Sequence, residues 1–364
     1  MRVLHIGLGS IKGGIETFAI NYFYELCGKG VVFDFADIYG AGLACRQEIE
    51  TLGGKIYTLP NYKKHPFKMK RALEKIIHDN KYSCIHINIQ TAANLFPLMA
   101  ARKTGAKVIL HGHTSNAVGL IRKVMHWINI PRLRRADAVR LSCGKEAGKW
   151  LWAKKNFEII PNAIHIEKFR FNSDARMELR KQYNIAPEDI VVGYIGRLEP
   201  VKNPMFMLDL MEQLNNQECN RKVVMLLAGK GALQRKLQDR IQKESWGGNV
   251  HLLGQVSNVN DLLSMFDYFV MPSTHEAFSL AAVEAQANGV CCLLSDSLPY
   301  EMKVTEQVTF LPLKQPEKWA EYIIRNGFPD REKKNEDGME NSIYDIRFSG
   351  EKLLEIYQTI GAEK

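Results

Sequence analysis

Short runs of apolar residues alternate along this chain with longer stretches in which apolar side chains recur every three or four positions. "MRVLHIGLG" reads as a buried strand and a turn, and "IETFAINYFYELCGKG" follows with helical spacing and a glycine stop. "VVFDFADIYG", "CIHINI", "KVILHGHT" and "AVRLSC" predict further strands, with helices at "AANLFPLMAARKTG" and "KEAGKWLW" and a strand at "FEIIPNAI". The pattern then restarts. "IVVGYIGRLEPVKN" is a strand and loop, "PMFMLDLMEQLNN" a helix, "KVVMLLAGKG" a strand, "ALQRKLQDRIQKESWGG" a helix and "NVHLLGQV" a strand. "VNDLLSMFDYFVMPS" adds a helix and strand and "VCCLLSDS" another strand; a long polar tail follows, with a charged, loop-like stretch at 325–342 and a final amphipathic helix, "GEKLLEIYQTIGA". Strand–helix alternation of this kind predicts parallel sheets with helices on both faces, here twice over: an α/β chain of two doubly wound domains, 1–165 and 166–340. Ligands of such sheets bind at the carboxyl ends of the strands, so a cleft shared by the two domains is the expected site.

Composition narrows the class. A chain of 364 residues is too long for one compact core, and 46% hydrophobic content excludes a disordered protein. No apolar run reaches the roughly 18–20 residues of a membrane helix, and the first residues lack the features of a signal peptide. The seven cysteines form no C-x-x-C, which argues against a zinc site or a disulfide framework and predicts a reduced, cytoplasmic protein. The formal charge of +9 is concentrated in "NYKKHPFKMKRALEKIIHDNKY" and "IPRLRRADAVR". Such patches attract phosphorylated ligands, anionic membranes or nucleic acid, or simply keep a surface solvated.

The candidate chemistry lies in the turns after strands. "GLGSIKGGIE" matches a dinucleotide fingerprint at Gly7 and Gly9 but has Lys12 at its third glycine. What survives is a glycine-rich loop, with Gly13 and Gly14 opening a helix whose N–H groups suit an anion. "GYIGRLEPVKNP" presents Gly196, Arg197 and Lys202 in one loop; a planar guanidinium and a mobile ammonium together suit a diphosphate. Gly229 and Gly231 form another strand-to-helix turn, and Gly254 with Val256 offers a backbone edge for a base.

In "THEAFSLAAVEAQANGV", Ser273, Thr274 or Ser279 would cap a helix running to Gly289. That puts Glu276 in the preceding loop, Glu284 inside the helix, and free N–H groups near Phe278, Ser279 and Leu280. The spacing alone leaves an acid/base pair, a ligand-binding pair or a solvated helix face open, although Ala281, Ala282, Val283 and Ala285 look packed. His111 and His113 share one strand face; no carboxylate or cysteine nearby completes a metal set, so a buried, hydrogen-bonded role or a cleft-facing one is expected. His5 is expected in the core.

"GYIGRLEPVKN", "AGKG", "LLGQV" and "EAFSLAAVE", in this order, resemble glycosyltransferase family 4, with "GGIE", "HGHTSNA" and "IIPNAI" in agreement. The wording is most similar to bacterial enzymes that build capsule or exopolysaccharide. The resemblance implies the GT-B fold: two Rossmann-like domains facing a cleft, with residues 341–364 forming a helix that crosses back to the N-terminal domain. It implies retaining transfer of a hexose-type sugar from a UDP-sugar to a saccharide or lipid-linked saccharide, without a metal or other cofactor. Arg197 and Lys202 would then hold the donor diphosphate, Glu276 the transferred sugar and Glu284 the ribose. The backbone at Phe278–Leu280 would touch the phosphates. Gly13 and Gly14 would approach them from the other domain, His113 would sit by the sugar and acceptor, and Glu16 and Asn162 would stand on the acceptor side, Asn162 at the hinge. The Pro usual after the segment's glycine is absent in Gly289-Val290-Cys291.

Two rivals remain at this level. A nicotinamide oxidoreductase would use Asp34 or Asp37 as its ribose acid, against the broken fingerprint. A non-catalytic nucleotide-sugar-binding partner would not need the intact set of two cations and two glutamates. No nucleic-acid partner is expected. For peripheral contact with the inner face of an anionic membrane, "GLIRKVMHWINIPRLRR" is the candidate segment.

Overall fold

The computed structural model of the chain describes residues 1–114, 116, 119–217, 221–276, 278–329, 339–340 and 342–362. Residues 330–338 and 341 of the expected charged loop, Cys219, and Ser115 and Ala117 of "HGHTSNA" lie outside these. The chain divides into two compact units, Met1–His165 with Asn341–Lys364, and Ile166–Glu340.

The first unit runs β1 (Arg2–Ile6), α1 (Gly14–Cys27), β2 (Val32–Asp37), α2 (Arg46–Thr51), β3 (Ile56–Thr58), α3 (Pro66–Asp79), β4 (Cys84–Ile89), α4 (Phe96–Lys103), β5 (Lys107–Gly112), α5 (Leu120–Arg134), β6 (Val139–Ser142), α6 (Lys145–Trp152) and β7 (Glu158–Ile159). Among the described residues its sheet is seven-stranded, in the order β3-β2-β1-β4-β5-β6-β7, with every pair parallel. Both faces are covered, so the strands are apolar on both sides. Val3 packs with Phe33 and Phe35 on one face, while Leu4 and Ile6 pack with Ile85 and Ile87 on the other.

The second unit runs α7 (Ser173–Gln182), β8 (Ile190–Ile195), α8 (Met205–Asn216), β9 (Val223–Ala228), α9 (Gln234–Ile241), β10 (Val250–Gly254), α10 (Val259–Met265), β11 (Tyr268–Met271), α11 (Leu280–Asn288), β12 (Cys291–Ser295), β13 (Val308–Leu311) and α12 (Pro316–Asn326). Its six described strands follow the order β10-β9-β8-β11-β12-β13, again all parallel. The stretch after β12, read from sequence as a polar tail, instead contributes β13 and α12. Val308, Trp319, Ala320 and Ile323 are buried, and few apolar side chains suffice when each buried one is worth about 1.5–3 kcal/mol.

The last helix, α13 (Ile346–Ala362), belongs to the first unit. Ile346, Leu353, Tyr357 and Ile360 enter the core beside α1, and Ile164 exchanges backbone hydrogen bonds with Tyr344 and Ile346. No described helix is long and apolar enough to cross a membrane.

Candidate active site

In the second unit the strand order reverses between β8 and β11, and a ligand site is expected in the crevice at such a switch point. The loop after β8 carries Arg197 and Lys202, and the loop after β11 carries Glu276. They are 74 positions apart in sequence, yet Lys202 Nζ donates to Glu276 Oε1. A latch sets this meeting: both the backbone N–H and the hydroxyl of Thr274 donate to the Val201 carbonyl, at 2.9 and 3.1 Å. Lys202 is 19% exposed and Glu276 10%, while Arg197 is exposed and has no ion-pair partner among the described residues.

The glycines beside this loop have a structural reason of their own. A Cβ on Gly229, whose φ is +144°, would stand 1.8 Å from the Gly196 carbonyl oxygen, and one on Gly231 would stand 2.5 Å from that of Leu198. Gly229 N–H donates to the Gly254 carbonyl at 2.6 Å. The turns after β8, β9 and β10 thus pack backbone on backbone, and glycine is what permits the contact. Gly229→Ala is expected to destabilise the chain by about 2 kcal/mol, read as a lower urea midpoint at unchanged slope. An unchanged midpoint would remove this packing role. Val256 is half-buried against the same layer as β11.

Of the three proposed caps, Ser279 holds the N-cap position of α11, but its side chain makes no capping bond. Thr274 is the latch, and Ser273 is buried with its hydroxyl unpartnered. The first-turn N–H groups at Leu280, Ala281 and Ala282 have no intrahelical acceptor, and no acid stands in that turn, so its positive end suits an anion. Ala282, Val283, Ala285, Gln286 and Asn288 are buried, which excludes the solvated-helix reading. The helix stops at Gly289 in the left-handed region, φ 78°, and needs no proline to do so. Glu284, in the middle of this packed helix, has no hydrogen bond or ion pair among the described residues, and burial pushes its carboxyl up to about 7. Glu276 and Glu284 are therefore unlike: one is neutralised by a lysine, the other desolvated and unpartnered.

In the first unit, the loop from Gly7 to Gly14 feeds α1. The Glu16 carboxylate accepts from Gly9 N–H at 2.8 Å and Gly13 N–H at 3.0 Å, so both oxygens are engaged in shaping this loop. Asn162 lies beside it, its amide nitrogen 3.2 Å from where a Cβ on Gly14 would stand, and its Oδ1 is buried and unpartnered. The 161–163 segment is tied to α1 through Tyr22 and Asn21, which donate to the Pro161 and Ala163 carbonyls.

The histidines are largely structural. His111 meets the Ile160 carbonyl through Nε2 at 3.0 Å, so Nε2 carries its proton and Nδ1 accepts from His86 at 3.2 Å. His86 Nδ1 then accepts from Tyr357 on α13, whose oxygen accepts from His5 Nε2. The terminal carbonyl fixes every tautomer in this chain, and burial holds His5, His86 and His111 neutral. With both nitrogens used, His111 cannot join His113 at a metal, and no described group of His, Cys, Asp and Glu forms a metal cluster. His113 donates Nε2–H to Asn88 Oδ1 at 2.9 Å and keeps an unpartnered Nδ1; burial lowers its pKa to about 3, leaving a neutral acceptor. Sequence reasoning had missed Asn88 and Tyr357, which no motif marks.

The rival ribose acids are occupied. Asp34 is fully buried and takes Arg2, Tyr82 and Lys55 N–H, and Asp37 accepts from the N–H groups of Tyr39, Gly40 and Gly42. Neither has room for a dinucleotide ribose.

Residues 175–327 match the family model described as glycosyl transferases group 1. The putative glycosyltransferase EpsF of Bacillus subtilis is 31% identical over all of this chain and 97% of its own length. The chain belongs to the group 1 glycosyltransferases. A second relative of this glycosyltransferase is the Escherichia coli UDP-Gal:α-D-GlcNAc-diphosphoundecaprenol α-1,3-galactosyltransferase, 24% identical over 62% of this chain and 60% of that one. Among solved structures, Anabaena Alr3699/HepE in complex with UDP and glucose superposes with a TM-score of 0.77 at 17% identity, covering 99% of this chain and 100% of that one. The fold of the glycosyltransferase is thereby that of the GT-B enzymes, with two parallel-sheet α/β units.

Proposed function

We propose that this enzyme transfers a hexose-type sugar from a UDP-sugar, with retention and without a metal, to a saccharide or lipid-linked saccharide during bacterial surface polysaccharide assembly. The observation that carries the proposal is the arrangement at the β8/β11 switch point. Lys202, in the same loop as the exposed Arg197, meets Glu276 from the segment that leads into the open N-terminus of α11, a set of groups suited to a diphosphate, and Glu284 within that helix supplies a carboxylate with no partner among the described residues for vicinal hydroxyls. The E. coli relative uses a UDP-sugar and a diphosphoundecaprenol-linked acceptor, and that chemistry fits these groups.

Breaking the anomeric bond leaves negative charge on the departing diphosphate, and preorganised cations and N–H dipoles stabilise it in the transition state. Arg197, exposed and without an ion-pair partner among the described residues, meets the diphosphate directly. Lys202 exchanges Glu276 for it, which leaves the Glu276 carboxylate to take sugar hydroxyls. His113 Nδ1 serves as a neutral hydroxyl acceptor, its low pKa unsuited to carrying a proton near neutral pH. The diphosphate bears on one face of the sugar, and protonation of the leaving oxygen from the incoming acceptor on that face gives retention.

A panel of UDP- and GDP-sugars, scored by slow release of nucleotide without acceptor and in the presence of chelator, tests the donor. Release from UDP-sugars is expected; release from GDP-sugars alone would overturn the donor assignment, and abolition by chelator the metal-free one. NMR of the transferred sugar tests the stereochemistry: an inverted anomeric centre rules out retention. The enzyme is further proposed to work at the inner face of the cell membrane, where a lipid-linked acceptor would be presented.

A further inference from the structure

The Arg197 side chain is exposed, yet the backbone that carries it is held at four points. Gly196 N–H, just before it, donates to the Ala228 carbonyl at 3.0 Å, and Leu198 N–H, just after it, donates to that of Lys230 at 3.0 Å. The Arg197 carbonyl takes two donors of its own: Glu199 N–H at 2.9 Å and the Tyr194 hydroxyl at 2.9 Å. Three of these bonds are main chain to main chain, within and between the turns after β8 and β9. The fourth comes from a side chain, and nothing in the hydrophobic pattern of β8 calls for a hydroxyl there.

Tyr194 stands on β8 and is 2% exposed. Its ring enters the core layer that holds Phe206 of α8, Tyr268 of β11 and Trp319 of α12, so packing fixes where its hydroxyl arrives. The hydroxyl reaches the turn because Gly196 has no side chain. A Cβ on Gly196 would stand 2.9 Å from the Tyr194 oxygen and 3.2 Å from its Cζ. Gly196 is not in the left-handed region, so this close approach is its structural reason. Burial, and after it Glu276, push the phenol well above its usual range, with Arg197 opposing, so the hydroxyl keeps the proton it donates.

The two cations of this loop therefore have separate supports. Lys202 is placed by the Thr274 latch, which reaches from the loop after β11 to the Val201 carbonyl. Arg197 takes its support from β8 itself. A guanidinium that is to meet a diphosphate gains from a fixed root, because a donor already in place needs no reorganisation as negative charge develops. A displacement of about 1 Å at such a group can cost about 10²-fold in rate.

We infer that Tyr194 is a positioning residue for Arg197: its hydroxyl, passing the open side of Gly196, fixes the Arg197 carbonyl and so aims the guanidinium at the donor diphosphate. The diphosphate itself rests on the transferase reading above. Tyr194 acts through Arg197 alone. Its contribution should vanish when the Arg197 side chain is removed and persist when that of Lys202 is.

The test is a pair of double-mutant cycles in the full chain, read as affinity for UDP by calorimetry. Tyr194→Phe removes one oxygen and keeps the ring. Alone, it should weaken UDP binding about tenfold. In an Arg197→Ala background the same change should cost less than about twofold, whereas in a Lys202→Ala background it should keep its tenfold cost. A general loosening of the fold would instead weaken binding in every background, so an equal cost with and without the Arg197 side chain overturns the proposal. So does wild-type affinity in Tyr194→Phe. Hydrogen exchange of the backbone amides from Gly196 to Asn203 tests the grip without any nucleotide. It should be about tenfold faster in Tyr194→Phe with the strands of the sheet unchanged, and unaltered exchange overturns the grip. If the wild-type chain binds no UDP, the transferase reading fails, and the exchange result alone decides whether Tyr194 holds the Arg197 turn.

Discussion

Lys202→Ala is expected to lower the turnover of sugar transfer by about 10²–10³-fold, equivalent to roughly 2.7–4 kcal/mol, the cost of removing one preorganised donor from a developing negative charge. The loop that carries Lys202 is held by the Thr274 latch and by the glycine contacts beneath it, so the cation is in place before the donor arrives. In the unliganded chain its charge is balanced by Glu276, and both side chains are mostly buried. Removing the lysine therefore has a second effect. It leaves a desolvated carboxylate without its partner, which destabilises the fold apart from any catalytic role. Combining Lys202→Ala with Glu276→Gln separates the two: the double variant should regain thermal stability and still fail to turn over. Near-wild-type turnover in Lys202→Ala, or recovery of activity with stability in the double variant, would show that the lysine is a structural counter-ion and no more.

Glu284→Gln is expected to make the protein more stable and a worse binder of UDP-sugar. Burial moves the folded-state pKa from 4.5 to about 7 with no compensating partner. The folded chain holds this proton up to about pH 7 while the unfolded chain releases it near 4.5, so stability falls as pH rises between those values and the loss is complete above them. At about 1.36 kcal/mol per pH unit, keeping the carboxylate ionised at pH 8 costs roughly 3 kcal/mol. The glutamine does not bear that cost, so its melting temperature should rise by roughly 5–10 °C at pH 8 and be unchanged at pH 4. The ionised form is nonetheless what two vicinal hydroxyls require, since it accepts from both. Wild-type affinity for a UDP-sugar, whose own phosphates do not titrate in this range, should therefore rise with pH through about 7. The variant should bind roughly tenfold more weakly and lose that pH dependence. Calorimetry between pH 6 and 8 reads both, and a pH-independent wild-type affinity would remove Glu284 from the nucleotide site.

Much of the fold was legible because a parallel sheet writes itself plainly in a sequence. Its strands are buried on both faces and read as apolar runs between helical periods, as in "CIHINI" and "KVVMLLA". The elements that escaped were those whose local signal was mixed. Helix α3 was seen only as a run of cations, although Met69, Leu73 and Ile77 recur at helical spacing and are buried. Strand β13 and helix α12 were read as tail because only a few of their side chains carry the packing.

The sequence by itself determined that two α/β domains would form, and that cations and carboxylates would stand in the turns after particular strands. Residue type and local period suffice for that. Tertiary structure alone decided which groups meet. Strand order is set by long-range packing, and it places β8 beside β11, so that Lys202 reaches Glu276 and not Glu284, although the glutamates stand only eight positions apart. The same packing engages Glu16 with its own loop, closes the chain from His5 to Ile160 through a tyrosine on the last helix, and turns the apolar face of α5 outward. Each of these depends on neighbours distant in sequence, and no spacing along the chain encodes them.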